Sequence, residues 1–145
     1  MGAPRRRGPL RAVRADGPSC VHAASAATER GDAHSAFGFA SSGCTHGEGQ
    51  ACAMAGLALQ RGQGVSADPP LGLRRFKDAC RAGYGPGCTA GGLLGIELAA
   101  AQGGAGRTAA ADAVGMLQRG CELEEKVACT VLEQAAGGSG PAAKD

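Results

Sequence analysis

Six of the seven cysteines fall into three pairs that share one spacing. The members of each pair are eight residues apart: Cys44 and Cys52, Cys80 and Cys88, and Cys121 and Cys129. The pairs recur after 36 and then 41 residues. A period of this length, with one small insertion, is the signature of stacked helical hairpins. The spacing therefore predicts a repeat protein, in which each unit is a pair of helices.

The composition makes crosslinks necessary for such a fold. Leu, Ile, Val and Phe together number 21 of 145 residues, a low share for a folded domain. Gly is abundant at 26 residues, and the net charge is only +2. Helices built from these residues must pack closely on small side chains, and a thin core needs additional covalent support. No Cys-x-x-Cys occurs, so neither a zinc ribbon nor a thioredoxin-type redox motif is indicated.

Glycine and proline mark the ends of the predicted helices. Gly62 is suited to the residue after a helix, and Asp68 is suited to the N-cap of the next helix, with Pro69 and Pro70 in its first turn. That second helix continues through Cys80 and is followed by a loop over 82–87. The other predicted helices cover residues 21–30, 33–40, 50–60, 89–101, 108–119 and 125–134.

One segment carries a family likeness. Gly56, then Gly62-Gln63-Gly64-Val65, Asp68, and Phe76-Lys77 with Ala79-Cys80 resemble the Sel-like repeat, a relative of the tetratricopeptide repeat. The cysteine that follows eight residues later is similar to the cysteine-rich, Hcp-like branch. The match covers 44–88 best and extends to 129. It departs from the family at Leu59 and Gly95, where an aromatic residue is usual.

The resemblance implies an all-α fold, a short right-handed α/α solenoid of helix-hairpin repeats stapled by disulfides. We expect the repeat domain to span 17–136, with a basic disordered arm over 1–16 and a disordered tail over 137–145. The repeated spacing favours pairing each cysteine with the one eight residues away. Bridges of the type Cys52–Cys80, within one hairpin, are the competing arrangement, and reduced thiols or a metal or redox site are the further alternatives. Cys20 stands outside the three pairs.

Residues that could support catalysis or metal binding form no recognised motif. No Ser-x-x-Lys or His-Glu-x-x-His occurs, so no catalytic residue, metal or cofactor is predicted. His22, His34 and His46 are twelve residues apart and are expected to be exposed. Because Hcp-like proteins are described as β-lactamase-like or penicillin-binding, such a hydrolase remains an alternative function. Glu122, Glu124 and Glu125 form an acidic strip that is either a solvated loop or the rim of a groove.

The leading hypothesis is a protein-interaction scaffold. First helices line the concave face of such solenoids and bind a peptide or a partner protein there. We expect no nucleic-acid partner, and a monomer. The residues predicted to contact the partner are Met54, Leu57, Arg61, Leu93, Leu94 and Glu97.

The compartment receives opposing signals. The cysteine pairs favour an oxidising compartment, which can be extracellular, periplasmic or the mitochondrial intermembrane space. No signal peptide is seen, and no apolar run is long enough to span a membrane. An organelle transit segment is indicated by the absence of acids from residues 1–14, which contain Arg5, Arg6, Arg7, Arg11 and Arg14. A mitochondrial respiratory-complex assembly factor is therefore a further alternative, because one class of cysteine-rich Sel-like proteins has that role.

Overall fold

A computed structural model describes residues 17–137, and within them the chain is all-α, as predicted. The predicted arm over 1–16 and residues 138–145 of the predicted tail lie outside the described residues. Gly137, which the sequence assigns to the tail, is the last residue of the last helix. Seven α-helices span this part of the chain: α1 Gly17–Glu29, α2 Ala33–Thr45, α3 Gly49–Arg61, α4 Pro69–Arg81, α5 Gly85–Ala101, α6 Arg107–Glu122 and α7 Lys126–Gly137, with a 3₁₀ helix Gly103–Gly106 before α6.

The helices pack in the order of the chain. Each helix packs mainly on its two sequence neighbours and also touches the helix beyond, so the structure is three hairpins followed by a single helix. The hairpins are α1–α2, α3–α4 and α5–α6, and we call the two members of each the first and the second helix of a unit. This arrangement confirms the prediction of stacked helix-hairpin repeats.

Disulfides join neighbouring units. Each connects the end of a second helix to the beginning of the next first helix, with Cα atoms 4.4, 4.5 and 4.7 Å apart. Those separations lie at the short end of the range that a disulfide allows. The bridges are Cys44–Cys52, Cys80–Cys88 and Cys121–Cys129.

The loops between units share one backbone conformation. Each has three residues, and its middle residue has a positive φ: 87° at Gly47, 88° at Gly83 and 67° at Glu124. Glycine adopts this conformation without steric cost, whereas a residue with a Cβ atom is strained there. Glu124 is thus an acid held in a position that the two preceding units give to glycine.

The helix caps within the second unit are those predicted from the sequence. Gly62 has a left-handed conformation after α3, and the carboxylate of Asp68 accepts a hydrogen bond of 3.2 Å from the backbone N–H of Leu71. The predicted loop over 82–87 is wrong at its end, because α5 begins at Gly85 and places Pro86 in its first turn. Proline is favourable there, since a first-turn N–H has no acceptor within the helix.

Helix α5 tolerates its glycines because they lie against other helices. A Cβ atom at Gly92 would be only 2.5 Å from Cγ of Leu117 and 3.1 Å from the carbonyl oxygen of Ala113. The absent side chain therefore lets α5 approach α6 closely, and this contact offsets the low helix propensity of glycine.

Two clusters of apolar side chains contribute to the core within residues 17–137. The larger one contains Phe76, Leu94 and Met116 together with the sulfur-bridged Cys80 and Cys88. The smaller cluster belongs to the first two units and consists of buried alanines with half-buried aromatic side chains and a methionine around them: Ala24, Ala40, Ala55, Phe37, Phe39 and Met54. The first part of the protein is accordingly the more thinly packed.

Candidate functional site

An apolar groove opens where α1, α2 and α3 meet, and we call it the first groove. Its volume is about 400 Å³. Helix α2 lines one wall and α3 the other, while the end of α1 and two loop residues close it. The lining residues are Thr28, Gly31, Ala33, Ala36, Phe37, Ala40, Met54, Leu57, Ala58 and Gln63.

The groove results from small residues at two positions of the repeat. Helices α2 and α4 begin 36 residues apart, and so do α3 and α5, so the two units can be compared position by position. Ala40 of the first unit corresponds to Phe76, and Ala58 of the second unit corresponds to Leu94. Phe76 and Leu94 fill the equivalent space one unit later and are 1% and 3% exposed. Two alanines in place of a phenylalanine and a leucine leave the first groove unfilled.

Most polar groups at the groove already form hydrogen bonds within the protein. The hydroxyl of Thr28 donates to the carbonyl of Ala24 at 2.9 Å. His34, just outside the groove, has Nδ1 at 3.4 Å from the carbonyl oxygen of Gly64. Gln63 is the remaining polar side chain in the lining, so the groove offers a ligand an apolar surface with one amide at its edge.

Asp32 places a negative charge beside the groove. Hydrogen bonds from Ser35, including its backbone N–H at 3.1 Å, hold the pKa of the Asp32 carboxyl below its ordinary value, and Arg30 at 3.8 Å contributes less. Since the folded state favours the charged form, this cap stabilises α2 above the ordinary pKa of aspartate. The contribution is lost as the pH falls through the lowered pKa.

The six predicted partner-contact residues divide between different environments. Met54 and Leu57 line the first groove, and Leu57 is 37% exposed. Leu93 occupies the position of Leu57 one unit later and is 42% exposed. The prediction of a partner-facing Leu94 is wrong, because its side chain is 3% exposed and belongs to the larger core cluster. Arg61 and Glu97 are exposed at equivalent positions on α3 and α5, outside the groove lining.

Two lining residues on α2, Phe37 and Ala40, are absent from the predicted set. The prediction considered only first helices, whereas the groove has a second helix as one wall. A sequence alignment of the repeats gives the signal that could have located this groove. In that alignment Ala40 is equivalent to Phe76, and Ala58 is equivalent to Leu94.

The histidines and the acidic strip lie apart from the groove lining. His22, His34 and His46 are all exposed, and across residues 17–137 no three His, Cys, Asp or Glu side chains come together as a metal site would require. Glu122 lies 3.6 Å from the guanidinium of Arg119. These residues therefore form no metal-binding group in the part of the chain that the structure describes.

Comparison with known proteins adds no family assignment. No protein-family model matches the sequence, and no curated protein matches it significantly. None of the helices within 17–137 is both long and apolar enough to cross a lipid bilayer.

Proposed function

We propose that this protein is a cysteine-rich, Sel-like helical-repeat scaffold that binds an apolar segment of a partner protein in the first groove. The observation that carries the proposal is the unfilled space created by Ala40 and Ala58, where the next unit has Phe76 and Leu94. Three disulfides that hold the units in fixed register support it, since a rigid groove loses less conformational entropy on binding.

The groove suits a small number of bulky side chains. Its volume of about 400 Å³ falls in the range of ligand pockets, and aliphatic and aromatic carbon dominates its walls. An amphipathic helix or an extended peptide with two neighbouring leucine-sized residues would fill it. Leu57 at the outer edge would then become buried on binding.

The disulfide bridges bear on the cellular compartment of the protein. Three disulfides suggest an oxidising environment, which includes secreted, periplasmic and intermembrane-space locations. This environment also permits the alternative function, assembly of a respiratory complex. The arginine-rich start of the sequence is the one further feature that favours this alternative. A hydrolase is the other alternative, and the sequence contains neither Ser-x-x-Lys nor His-Glu-x-x-His.

Methionine methyl groups provide a direct test of the first groove. The chain has three methionines, of which Met54 lines the groove and Met116 lies in the core at 8% exposure. In ¹³C-methyl-methionine-labelled protein, a leucine-rich amphipathic peptide should shift the Met54 resonance and leave Met116 in place. Leu57→Ser should weaken binding of this peptide about tenfold, because an apolar contact is lost.

Leu93→Ser is the matched control, since Leu93 is the equivalent exposed leucine outside the groove. It should change the peptide's affinity less than about twofold. Ala58→Leu, which copies the residue of the next unit, should fill the groove and abolish binding without lowering the melting temperature. Equal losses from Leu57→Ser and Leu93→Ser, or undiminished binding by Ala58→Leu, would contradict the proposal.

A further inference from the structure

The second helices form two further grooves at equivalent places of the repeat. One lies mainly between α2 and α4 with a volume of about 450 Å³, and we call it the upstream groove. The other lies between α4 and α6 with a volume of about 540 Å³, and we call it the downstream groove. Cys44 lines the upstream groove and Cys80 lines the downstream one, so the register between the two is fixed by the repeat itself.

Three equivalent positions change from neutral or acidic to basic between these grooves, whereas Leu71 and Arg75 of the upstream groove correspond to Asp112 and Met116 of the downstream groove. Ser41 and Thr45 of the upstream groove correspond to Lys77 and Arg81 of the downstream groove, at a distance of 36 residues. Asp78 on the upstream wall corresponds to Arg119 on the downstream wall, at a distance of 41 residues. The upstream lining thus contains one cation and one carboxylate, Arg75 and Asp78, whereas the downstream lining contains three cations and one carboxylate.

This positive charge is local. Residues 17–137 contain nine basic and eleven acidic side chains, so the described part of the protein is slightly acidic. Four of the nine basic residues nevertheless lie on α4, the helix that the two grooves share. An acidic ligand that approaches this face therefore meets a concentration of basic side chains within the described residues 17–137.

The cations differ in their partners. Asp78 forms ion pairs with both Arg75 at 2.6 Å and Arg81 at 2.9 Å, and the side chain of Arg81 at the edge of the downstream groove is 73% exposed. Arg119 lies 3.6 Å from Glu122. Lys77, by contrast, has no ion pair with any residue in 17–137. Its charge is available to a ligand without the loss of an existing interaction.

The floor of the downstream groove is apolar and closely approachable. Met116 and Cys80 provide its apolar surface, and Ala111 and Gly115 on α6 leave room for a peptide backbone. Asp112 is the single acid in the lining, and no aromatic side chain is present there. Asp112 repels phosphates and carboxylates alike, so the absence of an aromatic side chain on which bases could stack is what disfavours nucleic acid here.

We propose that the downstream groove binds an acidic peptide segment of a partner protein, with its carboxylates at Lys77 and Arg119 and an apolar side chain over Met116. This site is separate from the first groove and additionally requires acidic residues in the ligand. Either proposal can therefore fail without the other.

The test uses the whole chain and a fluorescein-labelled peptide of alternating glutamate and leucine, measured by fluorescence anisotropy. Lys77→Glu and Arg119→Glu should each weaken binding about fivefold or more at low ionic strength, and Lys77→Gln should weaken it less. Arg74→Glu is the matched control, since Arg74 is an exposed cation of α4 outside the groove lining. It should leave the affinity nearly unchanged.

A variant that binds the acidic peptide more tightly is a stricter test than variants that bind it more weakly. Asp112→Asn removes the one repulsive charge of the lining and should strengthen binding about twofold to threefold. In the methionine-labelled protein, the acidic peptide should shift Met116 and spare Met54, the reverse of the leucine-rich peptide. The proposal is overturned if Arg74→Glu weakens binding as much as Lys77→Glu, if Met54 responds in place of Met116, or if single-stranded oligouridylate binds more tightly than the peptide.

Discussion

Reduction of the three disulfides should unfold the protein at room temperature. A bridge between residues eight apart contributes about 2.5 kcal/mol by the chain-entropy estimate, and three contribute about 7 to 8 kcal/mol if they are additive. Native domains are stable by only about 5 to 15 kcal/mol in total. The core contains few large side chains, Phe76 and Leu117 being the largest that are fully buried. Loss of the bridges therefore removes a share of the stability that this core cannot replace.

Circular dichroism with and without a phosphine reductant measures this effect, and the free thiols should be counted by alkylation to show that reduction is complete. A helical spectrum and melting curve that survive complete reduction would contradict the expectation.

The three disulfides should also differ in their contribution to the melting temperature. Cys80→Ala with Cys88→Ala should lower the melting temperature by roughly 10 °C. The pair Cys121→Ala with Cys129→Ala should lower it less, because its bridge attaches only the final helix.

Phe76→Ala is expected to have the second largest effect, a decrease of about 3 to 4 kcal/mol in the free energy of unfolding. The ring is 1% exposed and lies in the larger core cluster with Leu94 and Met116. Its removal leaves a cavity at the position that Ala40 occupies in the first unit, and surrounding residues relax only partly into such a space. Urea denaturation followed by circular dichroism gives the free energy directly.

Phe39→Ala is the appropriate comparison, since the same atoms are removed from a half-buried aromatic residue of the smaller cluster. We expect roughly half the loss for that variant. Similar losses for Phe39→Ala and Phe76→Ala would mean that the core is not concentrated in the later units as the structure indicates.

Much of the fold was predictable from local chemistry. The cysteine period, the glycine after α3 and the Asp68-Pro69 helix start indicate hairpins without any knowledge of packing. The start of α5 was not predictable in the same way. Gly85-Pro86-Gly87 is typical of a loop, and its helical form depends on close contact of α5 with neighbouring helices, which is a tertiary effect.

The candidate site was only partly predictable. The expectation that first helices line the binding face of such solenoids selected Met54 and Leu57, and both line the first groove. The same expectation gave Leu94 the wrong environment, because it does not state which side of a helix the following unit covers. The downstream groove requires Lys77 on α4 and Arg119 on α6 to be adjacent, and sequence separation alone does not show that they are.

Each disulfide joins the second helix of one unit to the first helix of the next and so holds the register in which the three grooves form. Tryptic mapping without reduction, with free thiols blocked beforehand, determines this pairing. Trypsin leaves Cys44 and Cys52 together in peptide 31–61, and separates Cys80 in 78–81 from Cys88 in 82–107. We expect peptide 78–81 to be linked to 82–107 and peptide 120–126 to 127–144, and we expect peptide 31–61 to be lighter than its reduced form by two hydrogen atoms. A link between 31–61 and 78–81, or alkylated cysteines throughout, would contradict this pairing.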